Sequence, residues 1–324
     1  MRIFSTFILI LILLTSLAVA QQKQSWPEYV KGLRAEALAQ GIRPEVFDEA
    51  FAGIKEPNRK VLHLDKTQPE KRIEFLKYRS TRADAYRIKM GRKEFKKHQQ
   101  LLQNIGNEFG ISPCFIASIW GLETSYGNFM GSFPVIKSLA TLAYDNRRAK
   151  FFRKELMLAL HILNDGHVEL KNFKGEWAGA SGHPQFLPSS WHKHAVDYNK
   201  DGHKDIWNSH ADAFASIANY LVNSGWQNNK PWAVAVQLPS GFDKSVIDSK
   251  TIKTLGEWKA LGIRAQQGET LPQENFLKAR VVFPDGGPAM LAFNNFFVIM
   301  RWNNSTYYAG TVGYLAEKIC QRRL

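Results

Sequence analysis

A chain of 324 residues with 44% hydrophobic and 22% charged residues can bury a sizeable core, which excludes a disordered protein. Its formal charge of +14 invites a nucleic-acid reading, but the N-terminus argues against that partner. The two cysteines, Cys114 and Cys320, are too few for a disulfide scaffold; their pairing is undecided, with unpaired the favoured reading.

The first twenty residues read as a secretory signal peptide. Arg2 gives a positive start, FILILILL an apolar run, and Ala18-Val19-Ala20 a small-residue cleavage site before Gln21. The run is too short to span a bilayer comfortably, and a retained anchor is the alternative. No cysteine lies near the cut to carry a bacterial lipid anchor, and no later stretch is apolar enough to cross a membrane. The expectation is an exported, soluble protein with no transmembrane segment after signal removal. Its basic charge then suits anionic wall polymers or membrane surfaces better than nucleic acid; a merely soluble basic protein is the blander alternative.

From Trp26 to Phe51 the pattern predicts two short helices, broken at Gly41 and Pro44. Residues 60–68 read as an extended connection, and 69–109 as a long basic helical stretch with a solvated face. Pro113 to Glu123 is a helix whose apolar Phe115, Ile116, Ile119 and Trp120 fall at helical spacing. Two more helices are expected at 135–143 and 149–163. A Gly-rich loop, GEWAGASGHPQFLPSSW, fills 175–191, a polar segment, DYNKDGHKDIWN, spans 197–208, and helix resumes at 211–223. Beyond Gly225, AVAVQLP (233–239), ARVVFP (279–284) and NFFVIMRW (295–302) read as strands of a small β-rich insertion. A last helix closes the chain at 307–319. No internal repeat or low-complexity tract appears.

The stretch GLETSYG (121–127) isolates one acid, Glu123, at the end of an apolar helix. An acid buried there stays protonated near neutral pH, because ionisation would forfeit hydration. Gly121 and Gly127 leave room for a substrate to approach the backbone, and Tyr126 offers a stacking surface with a polar tip. Taken alone, such a glutamate is more often a surface or ion-paired residue. In the loop, Gln185 supplies both donor and acceptor, and Phe186 and Trp177 add aromatic walls; a tight structural turn is the competing reading. The polar segment places oxygen-bearing side chains at 197, 199, 201 and 205 with Gly202 at the sharp turn, the beginning of an EF-hand calcium loop. The usual glutamate at its twelfth position is replaced by Asn208, so a turn built on Asn and Asp side chains is also open.

Four segments in order, GLETSYGNFMG, GEWAGASGHPQFLPSSW, DYNKDGHKDIWNSHADAFASIANYL and RWNNSTYYAGTVGYLAEKI, resemble the lytic murein transglycosylase B family over about residues 25–322. The resemblance implies an α+β, mainly α fold: a lysozyme-like catalytic core with a flanking helical domain and a small β-rich insertion. The parts would be a helical part at 21–104, the core at 105–230, a β-rich part at 231–300 and a closing segment at 301–324. It implies periplasmic cleavage of the bond from N-acetylmuramic acid to N-acetylglucosamine in peptidoglycan, with a 1,6-anhydro end as product. Carried over residue by residue, Glu123 is the catalytic acid and base. Tyr78, Gln185, Tyr220, Asn303 and Tyr308 contact substrate, alongside the Tyr126 and Phe186 read above. Asp212 supplies a late carboxylate to a structural calcium site made of Asp197, Asn199, Asp201, the His203 carbonyl and Asp212, with Asp205 acting through water. No cofactor is implied for the chemistry.

Two positions depart from the family pattern. Glu176 stands where serine is usual and Ser181 where methionine is usual. Glu176 either faces solvent or raises the pKa of Glu123 by like-charge repulsion. With one acid, the muramic N-acetyl oxygen would act as the internal nucleophile. The rival readings are a hydrolytic muramidase, a non-catalytic wall-binding protein and a calcium-dependent interaction module. Beyond glycan strands, complexes with wall-synthesis or remodelling proteins are the partners such an enzyme would have.

Overall fold

The computed structural model describes residues 24–67, 73–145, 147–247 and 250–321. The signal-peptide reading and the start of the predicted basic stretch lie outside them. Local signals set the first helices. The Glu28 carboxylate accepts from the Ser25 N–H and hydroxyl at the start of α1 (Trp26–Ala39). Pro44 begins α2 (Pro44–Phe51) just after Gly41 turns the chain at a φ of 84°.

The predicted connection at 60–68 is instead a helix, α3 (Arg59–Lys66). Asn58 caps it by accepting from the Lys60 and Val61 amides, and Arg147 and Arg148 clamp the buried Asp65 at its end. The partners of Asp65 lie some eighty positions away, so local pattern did not reveal the element. The long basic stretch is three helices rather than one: α4 (Phe75–Arg82), α5 (Ala85–Lys97) and α6 (Gln99–Phe109). Asp84 causes one break by capping α5 through the Arg87 amide, and His98 forms the other.

Next come α7 (Pro113–Thr124), β1 (Phe133–Pro134), α8 (Val135–Tyr144), α9 (Ala149–Asn164), β2 (Lys174–Gly175), α10 (Pro188–His194) and α11 (His210–Asn223). The short β1–β2 ladder pins the loop after α7 to the Gly-rich loop. A five-stranded antiparallel sheet follows in the order β4 (Lys253–Thr254), β6 (Lys278–Val282), β7 (Met290–Ala292), β3 (Ala233–Gln237), β5 (Arg264–Ala265), with α12 (Leu255–Ala260) after β4. The strands read at 233–239 and 279–284 are β3 and β6. NFFVIMRW is not a strand: it is α13 (Asn294–Trp302). A short apolar run cannot by itself separate helix from strand. Here Asn295, Phe296, Val298 and Ile299 are buried together, a helical set rather than an alternating one.

The last helix, α14 (Thr306–Cys320), runs antiparallel to α7. Three contacts fix the register: Cys114 to Cys320, the Ser118 hydroxyl donating to the Val312 carbonyl at 2.7 Å, and Glu123 to Tyr308. Every residue of α7 from Cys114 to Gly121 is buried, as expected for a helix apolar on all sides. Against the sequence expectation, Cys114 and Cys320 form a disulfide, with Cα atoms 6.0 Å apart across 206 positions. Helix packing, not spacing in the chain, brings them together.

Alkylation of native protein should label neither cysteine until reductant is added. Replacing both by serine should lower stability by roughly 2–4 kcal/mol, read as a lower urea midpoint; free thiols in the native protein would contradict the pairing.

Candidate active site

Helix α7 ends immediately after Glu123. Ser125, Tyr126 and Gly127 take φ values of 50°, 61° and 81°, three successive residues in the left-handed region. Two of them carry side chains, which costs on the order of 1 kcal/mol or more each, so the turn must be held. The Arg87 guanidinium donates to Ser125 Oγ at 2.8 Å, Tyr126 donates its hydroxyl to the Arg87 carbonyl at 3.0 Å, and the Thr124 hydroxyl accepts from the Gly127 amide at 3.0 Å. Helix α5 therefore clamps the turn that presents Glu123.

The glycines around the acid serve packing, not substrate access. A Cβ on Gly121 would lie 2.5 Å from the Tyr126 ring, and one on Gly127 2.5 Å from the His183 ring. Tyr126 itself is 6% exposed and wedged between α5 and α7, so it is no stacking platform. His183 accepts from the Trp120 indole at 3.0 Å, and burial pushes its pKa down to about 4, which keeps the ring neutral.

Glu123 is half-buried, so protein crowds its carboxyl without sealing it from the surface. Oε1 accepts two hydrogen bonds, from the Tyr308 hydroxyl at 2.5 Å and from the Trp302 indole at 2.9 Å. Oε2 makes none among the described residues. Burial pushes the pKa up to about 7, against the pull of these two donors, and no second carboxylate among the described residues contributes. With Oε1 saturated as an acceptor, the proton of the neutral acid belongs on Oε2, the oxygen left free to meet a ligand.

Aromatic rings surround the acid. Tyr308 is 6% exposed, and burial together with the Glu123 charge drives its pKa well up, so it remains a donor. Tyr78 is half-buried and also feels the Glu123 charge. Tyr220 donates its hydroxyl to the Arg301 carbonyl at 2.5 Å, and its ring centroid lies 4.6 Å from that of Trp302. Sequence reading missed Trp302, a direct partner of the acid; its neighbour in RWNN, Asn303, was chosen instead. Asn303 caps α13, and its exposed side chain makes no hydrogen bond among the described residues.

Two other predicted contacts turn out differently. Phe186 is 3% exposed and backs the Trp302 ring at 5.3 Å instead of lining the surface. Gln185 commits its amide nitrogen to the Met130 and Gly182 carbonyls at 3.2 and 2.9 Å, and its buried Oε1 has no partner among the described residues. It thereby stitches the Gly-rich loop to the loop after α7. Glu176 is half-buried, with its amide bonded to the Ala180 carbonyl.

In the polar segment, carboxylate oxygens of Asp197, Asp201 and Asp212 lie within 4.8 Å of one another. Asn199 sits among them: its amide donates to Asp201 at 2.8 Å, and its Oδ1 accepts from the Asp201 N–H. Exposed His203 donates its N–H to Asp201. Asp212 is fully buried and accepts from the Tyr198, Asn199 and Asp205 amides; burial first, then the Asp197 charge, raises its pKa. Convergent hard oxygen donors around a tight Gly202 turn (φ 90°) fit a calcium ion.

A half-buried, protonatable glutamate, donors on one oxygen only and a ring of tyrosines on a helical core form a candidate acid site of lysozyme-like kind. The chain belongs to the transglycosylase SLT domain family, whose model matches residues 25–317. It is 32% identical over 259 residues to the membrane-bound lytic murein transglycosylase B of Escherichia coli (strain K12), covering 77% of this chain and 68% of that one. The fold is similar to SltB3 from Pseudomonas aeruginosa in complex with NAG-anhNAM-pentapeptide, with a TM-score of 0.88, 40% identity, and coverage of 92% of this chain and 80% of that one. It is also similar to the E. coli lytic transglycosylase Slt35 in complex with calcium, with a TM-score of 0.78, 28% identity, and coverage of 90% and 93%. The mainly helical, lysozyme-like architecture expected from sequence is thus observed.

Glu123 is protonated more readily in the folded chain than in the unfolded one, so its contribution is fully favourable below pH 4.5 and is lost as pH rises towards 7. Glu123→Gln, which cannot ionise, should therefore match the parent near pH 4 and exceed its stability by up to about 3 kcal/mol above pH 7. Urea unfolding at the two pH values checks this; an equal difference at both would refute the raised pKa.

Proposed function

We propose that the chain is a peptidoglycan lytic transglycosylase that cleaves the β-1,4 bond from N-acetylmuramic acid to N-acetylglucosamine and leaves a 1,6-anhydro end. The observation that carries this reading is the single carboxyl with both donors on Oε1 and a pKa near 7. The two-carboxyl glycosidase mechanisms need a second acid close by, and none among the described residues acts on Glu123.

Neutral Glu123 gives the Oε2 proton to the leaving glycosidic oxygen while the muramic N-acetyl oxygen bonds to the anomeric carbon. Carboxylate Glu123 then takes the proton of the C6 hydroxyl as that oxygen attacks the anomeric carbon and expels the acetamido oxygen. Water is not consumed. The nucleophile is already tethered, which lowers the entropic cost of each step. Tyr308 and Trp302 hold the carboxyl and stabilise it when charged. Tyr78 and Tyr220 orient the sugar, and exposed Asn303 offers its amide to the acetamido group. Gln185, Tyr126 and Phe186 act indirectly, by fixing the loop, the turn and the Trp302 ring. The apolar start of the chain fits export to the periplasm, where this polymer lies. No described helix is long and apolar enough to cross a membrane.

Digestion of purified sacculi should release anhydro-ended muropeptides, seen by mass spectrometry. Glu123→Gln should abolish them, with a loss of roughly 10³-fold or more; reducing ends would mean hydrolysis instead. Because the first step needs the proton, the rate should fall as pH rises above about 7.

We also infer a structural calcium ion held by Asp197, Asn199, Asp201 and Asp212, with the His203 carbonyl completing the set. When bound it would neutralise converging carboxylates. Calcium should raise the melting temperature of the parent and leave that of Asp201→Asn unchanged; no shift in the parent would count against the site.

A further inference from the structure

A cleft of about 720 Å³ opens at the end of α7 opposite to Glu123. Its floor is buried Phe115, against which the half-buried Trp226 packs edge to face at 4.8 Å. Exposed Asn107 and Asn228 flank it, and neither side-chain amide makes a hydrogen bond among the described residues. The charged residues lining it are Lys230 and Glu274, which pair with each other at 3.5 Å. Beyond that pair lies Phe276, 69% exposed, with the Lys230 ammonium 5.8 Å from its ring centre.

The walls are built rather than incidental. Fully buried Asn295 accepts from the Gln227 amide at 2.8 Å and donates to the Gln227 and Lys230 carbonyls at 2.9 Å each. Asn294 donates to the Gly225 carbonyl at 2.7 Å. The loop carrying Trp226 and Asn228 is therefore pinned from the first turn of α13. That helix ends at Trp302, a partner of the catalytic acid, and α7 likewise runs from this cleft to Glu123. Ten residues of helix set the separation at about 15 Å.

We infer that the cleft is a second glycan-binding site, taking an uncharged N-acetylhexosamine saccharide. An aromatic face suits the apolar side of a sugar ring, and unpaired amides suit hydroxyl and acetamido groups. The charges already cancel, leaving no free cation among the described lining residues for the carboxylates of a peptide. Two rigid helices then hold glycan at a fixed distance from the acid. This rests on the peptidoglycan reading only for the identity of the polymer.

Calorimetric titration of full-length Glu123→Gln with chitotetraose tests it. Two classes of site are expected, one of which weakens by about tenfold or more when Trp226→Ala is added, as for loss of a large aromatic anchor. Because Trp226 packs on Phe115, Asn107→Arg is run in parallel, since it fills the mouth from an exposed position without touching the core; the same class of site should weaken. Unchanged titrations in both variants overturn the inference, as does displacement of the saccharide from this site by a free stem pentapeptide. Anhydro products with unchanged titrations would sink the cleft alone. Loss of the Trp226-dependent site in a chain whose parent releases no products would sink the activity alone.

Discussion

The antiparallel contact of α7 with α14 is the constraint on which the site depends. One end is closed by the Cys114–Cys320 disulfide, the middle by Ser118 on the Val312 carbonyl, and the far end by Tyr308 on Glu123. A shift of α14 by one residue would rotate the Tyr308 hydroxyl about 100° around its helix and away from the carboxyl. The core packing of α7, buried from Cys114 to Gly121, therefore fixes the Tyr308–Glu123 hydrogen bond as well as stability.

The protonation state of Glu123 results from opposed effects. Burial alone favours the neutral acid, while the Tyr308 and Trp302 donors favour the charged one. Burial wins, but not by so much that the proton is trapped: the value near 7 leaves acid and base forms of comparable free energy. That balance suits a group asked to donate a proton and then to recover one. Placing both donors on one oxygen adds direction, because it leaves the other oxygen as the site of exchange.

Much of this was legible in the sequence because the signals were local. Helix α7 and its terminal acid could be read from the apolar run that ends in GLETSYG, and β3 and β6 from their apolar runs; the late tyrosine came only from the family resemblance of RWNNSTYYAG. What was not legible depended on distant partners. The disulfide spans 206 positions. Helix α3 is secured by arginines far along the chain. The glycines beside Glu123 looked like room for a substrate, yet that space belongs to Tyr126 and His183, which only the packing of α5 and the Gly-rich loop reveals. Trp302 was missed because RWNN was read through the family resemblance for Asn303, while the partner of Trp302, Glu123, lies 179 positions away.

The acidic loop is not an isolated feature, because its backbone runs into the turn that presents Glu123. The Ile206 carbonyl accepts from the His183 amide, His183 accepts from the Trp120 indole, and the His183 ring packs on Gly127. Asp212 lies in the first turn of α11, which two turns later carries Tyr220 against Trp302. Separating the three converging carboxylates to relieve their repulsion would move the start of α11 and the Ile206 strap together. Both displacements reach side chains that touch Glu123 or the turn presenting it. Whatever neutralises that cluster therefore also steadies the acid.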